Sequence, residues 1–152
     1  MTANRGRSLI GQPDRGSMLI EVTVLMVLVM LPLLYLVGTL GRVQAGAYAA
    51  SAMARESARA YVTAPDVSQA PGRAAGGGQL VLMSHGFEAQ DGSVDVSCPD
   101  AECLQPGSRV VANSRIAVEL PLIPDFMEGI VPTTVSLAAE HTEVVDFFQE
   151  SK

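Results

Sequence analysis

The sequence predicts an α+β protein: a long N-terminal transmembrane α-helix, extended outside the membrane, packed against a small antiparallel β-sheet domain. Three observations lead there. Val22 to Gly41 is a run of 20 residues without a charge, in a chain of 152 residues that is 17% charged and has a net charge of −6. Beyond it, Val43, Ala47, Ala50, Ala54, Ala58 and Tyr61 recur at steps of three or four, with no glycine or proline between Gly46 and Pro65. After a Pro/Gly-rich stretch the pattern changes to short segments in which every second residue is apolar.

Residues 1–16 are basic, with Arg5, Arg7 and Arg15 against Asp14. The uncharged run that follows suffices to span a bilayer, because a helix rises about 1.5 Å per residue and the hydrocarbon core is about 30 Å thick. A buried core helix of this kind would need a larger soluble body around it. The excess of positive charge before the run keeps the N-terminus cytoplasmic and exports everything after Arg42. This describes a single-pass protein of the cell membrane with an extracytoplasmic C-terminal domain. A cleaved secretory signal is the competing reading, with Ala45-Gly46-Ala47 as a small-x-small site, but the apolar run is longer than such signals carry.

The helix is expected over 17–62, with 22–41 in the membrane and Pro32 as a kink that transmembrane helices tolerate. From Ser17 to Tyr61 it measures roughly 65 Å, about twice what the membrane needs, so its outer half must rest on something. Gly38, Gly41, Ala45, Ala49, Ala54 and Ala58 place small residues along it, which lets another helix backbone approach closely. The alternative is that an alanine-rich helix is simply a good helix. Arg55, Glu56 and Arg59 form a polar face.

Residues 63–78 contain two prolines and four glycines and read as a linker. Residues 79–152 then supply the exported sheet domain. Gln79 to Ser84 reads as a short apolar strand, and Ser93 to Ser97 alternates around Val94 and Val96. Val110 to Leu122 sets Ile116, Val118 and Leu120 against Arg115, Ala117 and Glu119, and is ended by Pro121 and Pro124. Thr133 to Glu140 repeats the alternation with Val135, Leu137 and Ala139. The dry faces of these strands are expected to cover the outer half of the helix. Val144 to Phe148 either prolongs the last strand or forms a short packed tail.

Cys98 and Cys103 are the only cysteines, with four residues between them, on the side expected to be exported and oxidising. That location predicts a disulfide. A zinc site would need further ligands, for which only His85 and His141 exist, and two free thiols are the remaining alternative. No P-loop, GxSxG or HExxH occurs, and Gly76-Gly77-Gly78 lies in a linker context unsuited to a phosphate cradle. Asp91 and Asp95, or Glu140 and Glu143, read as solvated charges at turns and strand ends. No catalytic residue, metal or cofactor is therefore expected. The acidic balance, pI about 4.8, and the lack of a Lys/Arg cluster argue against nucleic-acid binding.

Gly16-Ser17-Met18-Leu19-Ile20-Glu21 ahead of an apolar helix resembles the type IV prepilin processing motif, in which cleavage follows the glycine and a glutamate occupies the fifth mature position. With Arg15 before Gly16, Pro32, and the segment Ala52-Met53-Ala54-Arg55-Glu56-Ser57-Ala58-Arg59-Ala60, the chain looks like the TadE-like family of minor pilins or pseudopilins of the tight-adherence (Flp) pilus system. Ser93-Val94-Asp95-Val96-Ser97-Cys98, Cys103, Pro106-Gly107-Ser108, Val118-Glu119-Leu120-Pro121-Leu122 and Glu140-His141-Thr142-Glu143-Val144-Val145-Asp146 extend the likeness over most of the chain. The resemblance implies a structural protein, not an enzyme. It implies processing by a prepilin peptidase, association with other pilins through the helix, and contact with the Tad membrane assembly platform and the lipid bilayer. It also implies that Glu21 meets the new N-terminal amine, on Ser17, of a neighbouring subunit. The domain after the helix marks a minor component, since major Flp pilins are very short there. The alternative function is a signal-anchored or secreted adhesion or binding module that enters no filament.

Overall fold

The computed structural model describes residues 15–100, 102–121, 129 and 132–148, with side chains from residue 18 onward. Residues 1–14, where the basic leader is expected, and Leu122 and Pro124 lie outside the described residues. Helix α1 runs Arg15–Val62, 48 residues, as uninterrupted α-helix through Pro32. By internal contacts the chain divides into two compact units, 1–36 and 37–152.

In the first unit the described part is helix alone. It belongs to a stretch long and apolar enough to cross a membrane, whose most apolar portion has no buried residue. Leu25, Met26, Val27 and Leu28, successive positions that go once round the helix, are all exposed. Thr23 donates its hydroxyl to the Leu19 carbonyl at 2.8 Å, so this polar side chain needs no partner from outside the helix.

In the second unit the outer half of α1 meets a second helix, α2 (Ala70–Ser84), a 3-10 turn (Ala89–Asp91) and three strands: β1 (Gly92–Ser97), β2 (Arg109–Glu119) and β3 (Thr134–Val144). The strands form an antiparallel sheet in the order β1-β2-β3. Its register pairs Val94 with Ser114 and Ser114 with Ala139, so alternate residues of all three strands share one face. That face is dry, as the alternation predicts, and it packs on α1. Ala49, Ala50 and Met53 join Leu82, Phe87, Ile116 and Val118 in one core cluster, and Tyr61, Val62, Val110 and Val145 form another. The Ser114 hydroxyl, buried between them, donates to the Ala50 carbonyl of α1 at 2.7 Å.

Two expectations are corrected. The linker does not extend to residue 78, and Gln79 to Ser84 is not a strand, because both fall in α2. Pro71 lies in the first turn, where its missing N–H costs nothing. Of the glycines that read as a helix breaker, Gly78 serves close packing: a Cβ there would lie 2.4 Å from Ser57 Oγ and 3.3 Å from Met53 Cγ, both on α1. α2 approaches α1 as closely as it does because the side chain is missing there. Asp66 prepares the entry into α2. It accepts from the Ser68 hydroxyl and from the Gln69 amide, and the Ser68 bond in first place holds its carboxyl below the ordinary range. The last strand is also longer than expected, since His141 to Val144 continue β3 beyond Glu140.

Candidate functional site

Gly16 and Ser17 lie in the first turn of α1, and Glu21 follows one turn later, exposed among Ile20, Val22 and Leu25. The i, i+4 spacing puts Ser17 and Glu21 on one side of the helix. Among the described residues Glu21 has no ion-pair partner within the chain.

The six small residues expected to serve helix packing separate into two groups. Ala49, Ala54 and Ala58 are fully buried within the chain's own domain. Ala45 is half-buried. Gly38 and Gly41 are exposed, with nothing within 4 Å of the place a Cβ would take. The outer alanines are therefore occupied by intramolecular packing, and Gly38 and Gly41 are the sites open to an external helix. Arg55, Glu56 and Arg59 are exposed, and Arg42, the first charge after the apolar run, holds its guanidinium 5.0 Å over the ring of the buried Phe87.

At the end of the domain nearest Tyr61, Cys98 and Cys103 are joined in a disulfide with a Cα separation of 5.3 Å. Arg109 closes the same loop. Its backbone amide donates to Asp100 at 3.0 Å and its guanidinium donates to both carboxylate oxygens at 3.2 and 3.3 Å. The guanidinium bond and then the amide bond hold the Asp100 carboxyl below its ordinary value. The loop is also tied to the C-terminus: Gly107 donates to the Val145 carbonyl and Val145 donates to the Ser108 carbonyl, both at 2.9 Å. Gly107 has φ +84°, and Phe147 lies where a Cβ would stand, so glycine is required there twice over.

Two expected outcomes follow. Replacing both Cys98 and Cys103 by serine should cost about 2 kcal/mol in the chain-entropy account of so short a loop. It should lower the melting temperature by about 8 °C, read by thermal unfolding of the oxidised protein and its variant. The Asp100 carboxyl, lowered in the folded state, contributes stability above its unfolded value of 3.8 that is lost as the pH falls through the folded value. Protection of the Arg109 amide, its exchange measured against the intrinsic rate at the same pH, should accordingly fall below about pH 4 in the native chain. In the Asp100→Asn variant the protection should be low throughout and free of this acid step.

The opposite face of the sheet is a shallow open trough of about 750 Å³. The register aligns Asp95, Asn113 and Glu140 across the three strands, with Arg115 in the next row between Ser93 and Ala138. Its lining carries mixed charge, small side chains and the Ser93 hydroxyl, and holds neither histidine nor cysteine. The histidines lie elsewhere. His85 ends α2 with Nδ1 2.9 Å from the Val81 carbonyl, and His141 Nε2 is 3.0 Å from Glu143 on β3. Glu140 and Glu143, expected at strand ends, stand on opposite faces within β3. Asp91 accepts from the Glu88 amide at the 3-10 turn. Among the described residues no group of three or more His, Cys, Asp or Glu side chains is arranged to hold a metal ion. Sequence reasoning missed Ser114 and the Asp100–Arg109 pair, whose partners are distant or of ordinary type. Comparison with protein-family models, with curated proteins and with solved structures gives no match for this chain.

Proposed function

We propose that the chain is a minor pilin or pseudopilin of a tight-adherence (Flp) pilus or a related secretion assembly, resembling the TadE-like family. On this reading a prepilin peptidase removes the leader after Gly16. The uncharged helix anchors the protein by a single pass, with the N-terminus cytoplasmic and the sheet domain extracytoplasmic. The same helix joins other pilins, supplied through the Tad membrane assembly platform.

The observation that carries this reading is the position of Ser17 and Glu21 in the first turns of a helix whose described side chains are exposed on every side up to Leu36. A lone carboxylate facing lipid costs a few kcal/mol. Cleavage after Gly16 creates one amine, on Ser17, that can neutralise such a carboxylate on an adjacent helix and set the axial register between the two. Gly38 and Gly41, open on the same helix, permit close approach further along.

The test is the mature N-terminus of the protein recovered from cells with and without a prepilin peptidase. A chain starting at Ser17 only when the peptidase is present is the expected result. A retained leader makes the protein a signal-anchored module, and a start near Tyr48 makes it a secreted one. Glu21→Ala should leave cleavage in place and abolish recovery with partner pilins; unchanged co-assembly would remove the register role.

A further inference from the structure

The trough on the open face of the sheet holds three charges that the chain leaves unpaired. Asp95, Asn113 and Glu140 stand side by side on β1, β2 and β3, and Arg115 stands one row further along β2, between Ser93 and Ala138. Asp95, Arg115 and Glu140 are exposed, and among the described residues none of them takes part in an ion pair. The side chains of Ser93 and Ala138 are too short to fill the row beside Arg115, and the space they leave belongs to the trough of about 750 Å³.

We infer that this trough binds short dipolar peptides, which present a free C-terminal carboxylate to Arg115 and an ammonium group to Asp95 or Glu140. Sign and spacing select the class. Diagonal neighbours across a pair of strands lie about 7–8 Å apart, which is the separation of Arg115 from each of the two acidic residues. An extended peptide covers that distance in two steps of roughly 3.5 Å, so the two ends of a tripeptide match it. Asn113, between the acids, adds an amide that both donates and accepts for the peptide backbone. Other classes fit worse. A polyanion would meet two carboxylates, and a polycation would meet the guanidinium. The lining carries no aromatic ring on which a sugar could stack.

The symmetry of the two acids about β2 gives the peptide two ways to lie, toward β1 or toward β3. Ion pairs in so open a place contribute little each, so a single peptide should bind with a Kd of roughly a few millimolar. Two sources carry this chemistry: peptides free in solution and the peptides of a cell-wall mesh. The recognition does not rest on the pilin reading, which bears only on whether the domain meets the second source.

The experiment titrates the isotope-labelled full-length chain, in detergent micelles, with lysyl-alanyl-alanine and follows the amide signals by NMR. Saturable shifts centred on residues 93–95, 113–115 and 138–140 are expected. Amidating the peptide's carboxylate or acetylating its amines should weaken binding about fivefold or more. Arg115→Ala should weaken it about fivefold, and so should Asp95→Asn combined with Glu140→Gln, with the melting temperature unchanged in both variants. The inference is overturned by shifts that do not saturate at about ten times the expected Kd, by equal binding of the blocked peptides, or by an affinity that the trough variants leave unchanged. Pelleting with cell-wall sacculi separates the sources. Pelleting that is lost when an amidase strips the peptides supports the mesh as the source. Binding of the free peptide without pelleting supports a soluble one, and pelleting that survives the amidase in a chain that does not bind the free peptide overturns the inference.

Discussion

Gly46→Leu is expected to lower the melting temperature of the detergent-solubilised chain by roughly 8 °C, from an overpacking cost of about 3 kcal/mol less nearly 1 kcal/mol of helix propensity. A Cβ at Gly46 would lie 2.4 Å from Val118 Cγ2 and 2.9 Å from Leu137 Cδ1. Val118 is fully buried in the central strand, and its β-branched side chain is stiff at χ1. Leucine is a better helix former than glycine by nearly 1 kcal/mol, so intrinsic propensity opposes the loss and a large net effect has to come from packing. Gly38→Leu and Gly41→Leu provide the control. With open space around both positions, neither should destabilise the isolated chain, while on the pilin reading both should impair its assembly with other helices. Thermal unfolding followed by circular dichroism measures the first effect, and co-purification with partner pilins the second. Equal melting temperatures for the Gly46 and Gly38 variants would remove the close contact between α1 and β2.

Leu82→Ala should cost about 3 kcal/mol, the usual loss for a fully buried leucine whose site cannot collapse. Leu82 is 0% exposed and joins α2 to the core beside Phe87 and Ile116. The comparison with Leu80→Ala makes the experiment a test of secondary structure as well. In a strand, residues 80 and 82 would share one face and the two substitutions would cost similar amounts. In α2 they point away from each other, and Leu80 is 72% exposed, so its replacement should be nearly neutral. Denaturant unfolding of the two variants decides between the two structures, and similar losses would contradict the helix.

These residues show what the sequence exposes and what it hides. The three strands were legible because alternation is a local signal: Val110, Ala112, Ile116 and Val118 recur with the period of the pleat, and their burial follows it. α1 was legible from its absence of charge and its steps of three and four. α2 was not, because Gly76, Gly77 and Gly78 weaken any helical prediction from propensity, and what stabilises the helix is contact with Met53 and Ser57 some 25 positions earlier. The small residues of α1 illustrate the same limit at the candidate site. Spacing identifies which positions permit close approach, but Ala54 and Ala58 meet the chain's own fold while Gly38 and Gly41 meet nothing within 4 Å. Gly16, Ser17 and Glu21 were visible because their relation is one of spacing along a single helix. Ser114, an ordinary polar residue in a strand, reveals its role only through its bond to Ala50.

Gly46 also bears on how α1 and the sheet would answer a pull along the helix. A pull along α1 would have to slide the helix over β2, and the easiest slip is one full turn, about 5.4 Å, which restores the helical face. Such a slip brings Arg42 or Val43, or in the other direction Ala49 or Ala50, to the point where Val118 and Leu137 leave no room for a Cβ. The glycine thus acts as the notch of a ratchet and the two side chains as its pawl. The helix and sheet are locked against stepwise creep, and tension along α1 is passed to the sheet as shear without loss of register.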